Sequence, residues 1–60
     1  MNNEDVLEVM QELVEYANKN FYEITYVEID YYKTQVNAKL VNIHNEVFNF
    51  HYNGASWIAK

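Results

Sequence analysis

Apolar residues recur every third or fourth position as far as Ala17, and every second position beyond Phe21. The first spacing follows the 3.6-residue turn of a helix, and the second follows the alternation of a strand. Val6, Val9, Met10, Leu13, Tyr16 and Ala17 share one stripe of an amphipathic helix expected over residues 4–18. Asn2 or Asn3 supplies an N-cap, and Glu4 and Asp5 sit favourably at the positive end of the helix dipole. The Asn18-Lys19-Asn20 run predicts the stop, because asparagine tolerates the left-handed conformation that ends many helices. Past Phe21 the β-branched and aromatic residues suit strands.

Asn53-Gly54 is the strongest turn signal, since a type I′ hairpin needs positive φ at both central residues. Placed as a two-residue turn, it sets Tyr52 opposite Ala55, Phe50 opposite Trp57 and Phe48 opposite Ala59. A loop at His44-Asn45-Glu46 sets Leu40 opposite Phe50 and Ala38 opposite Tyr52. A loop at Lys33-Thr34 sets Tyr31 opposite Val36, Ile29 opposite Ala38 and Val27 opposite Leu40. The strands then run over about 22–32, 35–43, 47–52 and 55–59. The expected fold is α+β: a single small domain over 1–60, with one N-terminal helix on one face of a four-stranded antiparallel meander (αββββ). Val27, Ile29, Leu40, Phe48, Phe50 and Trp57 are the expected sheet contribution to the core. Several small modules share this order, PepSY-like inhibitor domains among them, and no motif here singles one out.

One helix covers one face. The other is expected to carry Tyr22, Ile24, Tyr26, Tyr32, Val41, Ile43, Val47 and Ile58, with Asn37, Lys39, Asn49 and His51 between them. That much tyrosine and aliphatic surface predicts a contact face, for a second copy or another protein. The apolar parity of the first strand switches near Tyr26-Val27, as at a β-bulge. Glu28, Asp30 and Lys60 guard the sheet edges.

The 60 residues carry a net charge of −5, with no arginine. That balance excludes direct nucleic-acid binding, which draws its affinity from cations on phosphates. Glu4, Glu8, Glu12 and Glu15 share one helix face and predict an acidic binding surface; at its extreme such a face imitates a nucleic acid. With no cysteine there is no disulfide, zinc-thiolate or thiol chemistry, and one glycine cannot build a phosphate loop. His44, His51 and Glu46 have no third ligand at a regular spacing, and Ser56 lacks a nucleophile's setting. The expectation is no enzyme, no cofactor and no metal site.

No apolar run reaches the ~20 residues of a membrane span, and acids stand where a signal peptide needs positive charge, so a cytoplasmic location is expected. The wealth of Asn, Lys, Ile and Tyr points to an AT-rich gene of the phage or mobile-element kind. Together these features predict a small acidic, non-catalytic protein-binding module that inhibits a host defence or nucleic-acid-handling protein. The alternative is a structural or assembly protein that forms a homodimer through its open sheet face.

Overall fold

A computed structural model describes the backbone of residues 3–59 and the side chains of residues 5–59. It contains one helix, α1 (Asn3–Lys19), followed by β1 (Glu23–Asp30), β2 (Gln35–Val41), β3 (Val47–Tyr52) and β4 (Trp57–Ala59). The strands form one antiparallel sheet in the order β1-β2-β3-β4. The α+β helix-and-meander architecture is therefore the one the two apolar periods predict. The expected caps at Asn2 or Asn3, and the side chains of Glu4 and Lys60, lie outside the described residues.

Val9, Leu13 and Ala17, spaced four apart, are the buried stripe of α1; Leu13 and Ala17 pack with Ala38 and Leu40 of β2, and Val36 of the same strand is buried too. The deepest layer is thus made of small and aliphatic residues. The rings surround it: Tyr16 meets Phe50 edge-on at 5.4 Å and Tyr22 at 5.9 Å, Tyr22 stacks on Phe48 at 5.5 Å, and Tyr52 lies 5.5 Å from Trp57. Phe48, Phe50 and Trp57 do face the helix, but they remain half-buried.

All three hairpins are offset by two residues from the expected pairing. Ala38 lies opposite Val27 rather than Ile29, Phe50 rather than Tyr52 faces Ala38, and Trp57 faces Tyr52 rather than Phe50. The physical cause is the same each time: an Asp or Asn at the end of the strand caps the loop with its side chain. Asp30 Oδ1 accepts hydrogen bonds from the amides of Tyr32 and Lys33, both at 3.0 Å. Asn42 Oδ1 accepts those of His44 and Glu46, both at 2.9 Å. Asn53 Oδ1 accepts those of Ala55 at 2.9 Å and Ser56 at 3.0 Å. Such Asx turns imitate a backbone turn and lengthen the loop they start. Each loop then has one left-handed residue, Thr34, Asn45 or Gly54. Asn53 is not one of them, so the Asn-Gly pair forms no type I′ turn. A Cβ on Gly54, where φ is +100°, would stand 3.2 Å from the Thr34 carbonyl oxygen, so the β1–β2 and β3–β4 loops touch at one end of the sheet.

The parity switch in β1 is a bulge between Ile24 and Tyr26, slightly earlier than expected. Thr25 is the extra residue, and its hydroxyl donates to the Lys39 carbonyl at 3.2 Å. The bulge turns Ile24 and Val27 to the same face, and both pack against the core under α1.

The helix ends one residue later than the asparagines suggested. Phe21, at φ 60°, takes the left-handed position. The Tyr22 amide donates to the Ala17 carbonyl at 2.8 Å and the Phe21 amide to Asn18 at 3.4 Å, the bond pair of a Schellman motif. Asn20 uses its side-chain amide on the Tyr16 carbonyl at 2.8 Å instead. Phe21 is 80% exposed, so its ring offsets little of the backbone strain. Left-handed φ costs a side-chain-bearing residue ~1–2 kcal/mol, and glycine's extra freedom when unfolded returns part of that. Phe21→Gly is expected to stabilise the protein by about 0.5–1 kcal/mol, read as a higher urea midpoint at unchanged slope. A lower midpoint would show that the exposed ring packs on something.

Candidate functional site

Viewed down its axis, α1 has a buried stripe between two flanks of opposite character. On one side Asp5, Glu8 and Glu12 line a depression of about 280 Å³ together with Val9, Thr34, Tyr52 and Gly54. Glu12 is shared with a second hollow of about 430 Å³ between α1 and the β3–β4 hairpin, whose other walls are Leu13, Tyr16, Phe50, Trp57 and Ala59. On the other flank Leu7, Met10, Gln11, Val14 and Glu15 surround a shallow apolar surface, with Leu7 62% exposed. The expected acidic face is therefore divided. Glu8 and Glu12 turn toward the hairpin, while Glu15 borders the apolar flank. None of these three makes an ion pair among the described residues, and all three are exposed. Glu4 lies outside the described side chains.

The aromatic groove is open because a single helix cannot cover four strands. Its buried stripe sits on β2, which leaves Phe50 and Trp57 half-buried and Ala59 exposed. The Trp57 indole nitrogen is buried without a hydrogen-bond partner among the described residues, a cost of roughly 1–3 kcal/mol in such sites. Sequence reasoning placed these rings in the core and missed the groove. The available signal was size: three- to eight-residue strands, four abreast, are wider than one helix.

The outer sheet face is smaller and more polar than expected. Tyr22 and Ile24 belong to the core side, through the bulge and the ring cluster described above. Tyr32 sits in the β1–β2 loop, fully exposed, and Ile43 sits in the β2–β3 loop. Of the eight residues assigned there, Tyr26, Val41, Val47 and Ile58 remain on strands facing outward. Polar pairs run between them: His51 Nδ1 lies 2.8 Å from Asn37 Oδ1, and Lys39 stands 5.7 Å over the Tyr26 ring. Ile43, 79% exposed, instead lines a shallow hollow with Phe21, Val41, Asn42 and Asn45 at the far end of the molecule.

Tyr26 donates its hydroxyl to Glu28 Oε2 at 2.7 Å. The carboxylate stabilises the neutral phenol, so the pKa of Tyr26 rises above its ordinary value of 10.0; slight desolvation and the Glu28 charge act in the same direction. A raised pKa in the folded state means that this contact supports folding below pH ~10 and loses that support as pH rises through the folded value. In an absorbance titration at high pH, Tyr26 is expected to ionise above its ordinary value, and Glu28→Ala, which removes the acceptor and the charge together, to abolish the delay.

His44 lies in the β2–β3 loop, away from the His51–Asn37 pair on the sheet. Among the described residues no three His, Asp or Glu side chains group closely enough to hold a metal ion. No described helix is long and apolar enough to cross a membrane. Compared with known protein families, curated proteins and solved structures, the chain matches none.

Proposed function

We propose that this chain is a small non-catalytic binding module that occupies a basic surface on a larger protein, in the manner of a phage or mobile-element inhibitor acting in the cytoplasm. One observation carries the reading: Glu8 and Glu12, exposed and without an ion pair among the described residues, adjoin an open groove lined by Tyr16, Phe50 and Trp57. Charge attracts and orients a partner over several ångströms, while desolvated rings hold it. The two are contiguous on one flank, as a single contact patch requires. The excess of nine acids over four lysines adds a long-range field of the same sign.

A homodimer through the outer sheet face is the weaker reading. Only four outward apolar side chains remain there, and Glu23, Glu28, Asn37, Lys39, Asn49 and His51 interrupt them. A permanent dimer interface is more apolar than that.

Capture from a bacterial lysate at low and moderate salt tests the proposal, with the Glu8→Gln/Glu12→Gln/Glu15→Gln variant beside the native chain. A protein with a basic surface, retained by the native chain and lost with either salt or the substitutions, is the expected result. Retention that ignores both would overturn the acidic-flank reading.

A further inference from the structure

We propose that the groove between α1 and the β3–β4 hairpin seats an arginine side chain of the partner, held among the Tyr16, Phe50 and Trp57 rings and paired with Glu12. This rests on the reading that a basic protein is bound, and adds which residue type anchors it.

The chemistry of the walls selects the occupant. Five of the six lining residues are apolar or aromatic, and Glu12 is the single charged one. Ring faces carry partial negative charge and attract cations, and a carboxylate at the rim supplies a full charge of the same sign. Tyr16 and Phe50 meet at an interplanar angle of 67°, so their faces point in different directions, as in a cage rather than a flat stack. Among the described residues no basic side chain lines the hollow, and the neighbouring depression carries the further carboxylates of Asp5 and Glu8. A neutral apolar occupant would press against Glu12 and strip its water without replacing it, which is unfavourable. An arginine avoids that cost. Its methylenes lie along the apolar walls, its planar guanidinium stacks on rings, and its paired N–H groups match a carboxylate. Lysine is more strongly hydrated and cannot stack, so it is the poorer fit.

Trp57 is the only tryptophan and lines the groove, so its emission reports occupancy directly. The probes are acetyl-Gly-Arg-Gly-amide and its leucine counterpart, titrated at low salt. The arginine peptide is expected to shift Trp57 emission saturably, with a Kd of roughly millimolar, as one anchored side chain allows. Glu12→Gln should weaken it about five- to tenfold through loss of the charged hydrogen bonds. Glu23→Gln removes the same charge from the outer side of β1 and should leave the titration unchanged. Equal affinity for the leucine peptide, an unaffected Glu12→Gln variant, or no saturable shift would each overturn the assignment. If the lysate partner depends on the acidic flank but the arginine peptide leaves Trp57 unmoved, the groove assignment fails and the binding-module reading stands. If the peptide binds through Glu12 and no basic protein is retained, the groove stands and that reading fails.

Discussion

Leu40→Ala is expected to bring the protein close to unfolding at room temperature. Leu40 is 0% exposed on the central strand, flanked by Ile24 and Phe48 across the ladder and packed with Leu13, Ala17 and Ala38. Truncating a buried leucine costs about 2–5 kcal/mol, from lost transfer energy plus the cavity left behind. At ~0.05–0.15 kcal/mol per residue, a 60-residue chain has only about 3–9 kcal/mol of stability in all. The two ranges overlap, so the substitution removes most of the margin. A thermal melt followed by circular dichroism should show Tm lower by roughly 10–30 °C. Ile43→Ala, at a site 79% exposed, is the control and should stay within about 0.5 kcal/mol of the native chain. A mild effect at Leu40 would mean that the neighbouring rings, already half-buried, collapse into the space.

The Glu8→Gln/Glu12→Gln/Glu15→Gln variant carries the largest functional effect. It changes the net charge from −5 to −2, since three acids become neutral. Electrostatic steering raises association rates by about 10- to 1,000-fold where complementary surfaces meet. The captured partner should therefore associate at least ~tenfold more slowly with the variant at low salt. Near 1 M ionic strength, where screening falls to ~3 Å, the two rates should converge. Stopped-flow kinetics across a salt series reads both effects. Unfolding does not confound the result. Glu8–Glu12 and Glu12–Glu15 are like-charged neighbours at helical spacing, and relieving each pair stabilises the helix by ~0.2–0.5 kcal/mol. A variant that folds at least as well and binds as fast would remove the flank from the mechanism.

Much of the fold was legible because side-chain facing depends on parity, which local sequence carries. A two-residue slip moves every partner along the ladder and leaves every residue on its own face. The offset in all three hairpins therefore did not disturb the division between core and solvent sides of β2, β3 and β4. The loops differ from expectation because the backbone preference of Asn53-Gly54 favours a two-residue turn, whereas the Asn53 side chain caps a longer one. Asp30, Asn42 and Asn53, each at the end of a strand, were the visible sign that a side chain would cap the turn. In β1 the parity switch was visible, but its consequence was not. A bulge at Thr25 carries Ile24 to the helix side, and ring packing takes Tyr22 with it.

The candidate site was less legible. Helical spacing groups Glu8, Glu12 and Glu15, yet says nothing of which strands lie beside them. That depends on where the helix axis comes to rest on the sheet, which its buried residues Leu13 and Ala17 settle by packing with Ala38 and Leu40. The aromatic groove is a by-product of the same choice.

By itself, then, the order of residues determined the elements, their sequence along the chain and the face that most strand side chains take, because 3.6- and 2-residue periods are local properties of the backbone. Only the tertiary structure decided the register, the bulge, and the meeting of Glu12 with Tyr16, Phe50 and Trp57. Those follow from loop capping and from the fit of one narrow helix on a wider sheet, and packing of that kind is set by contacts between residues far apart in the chain.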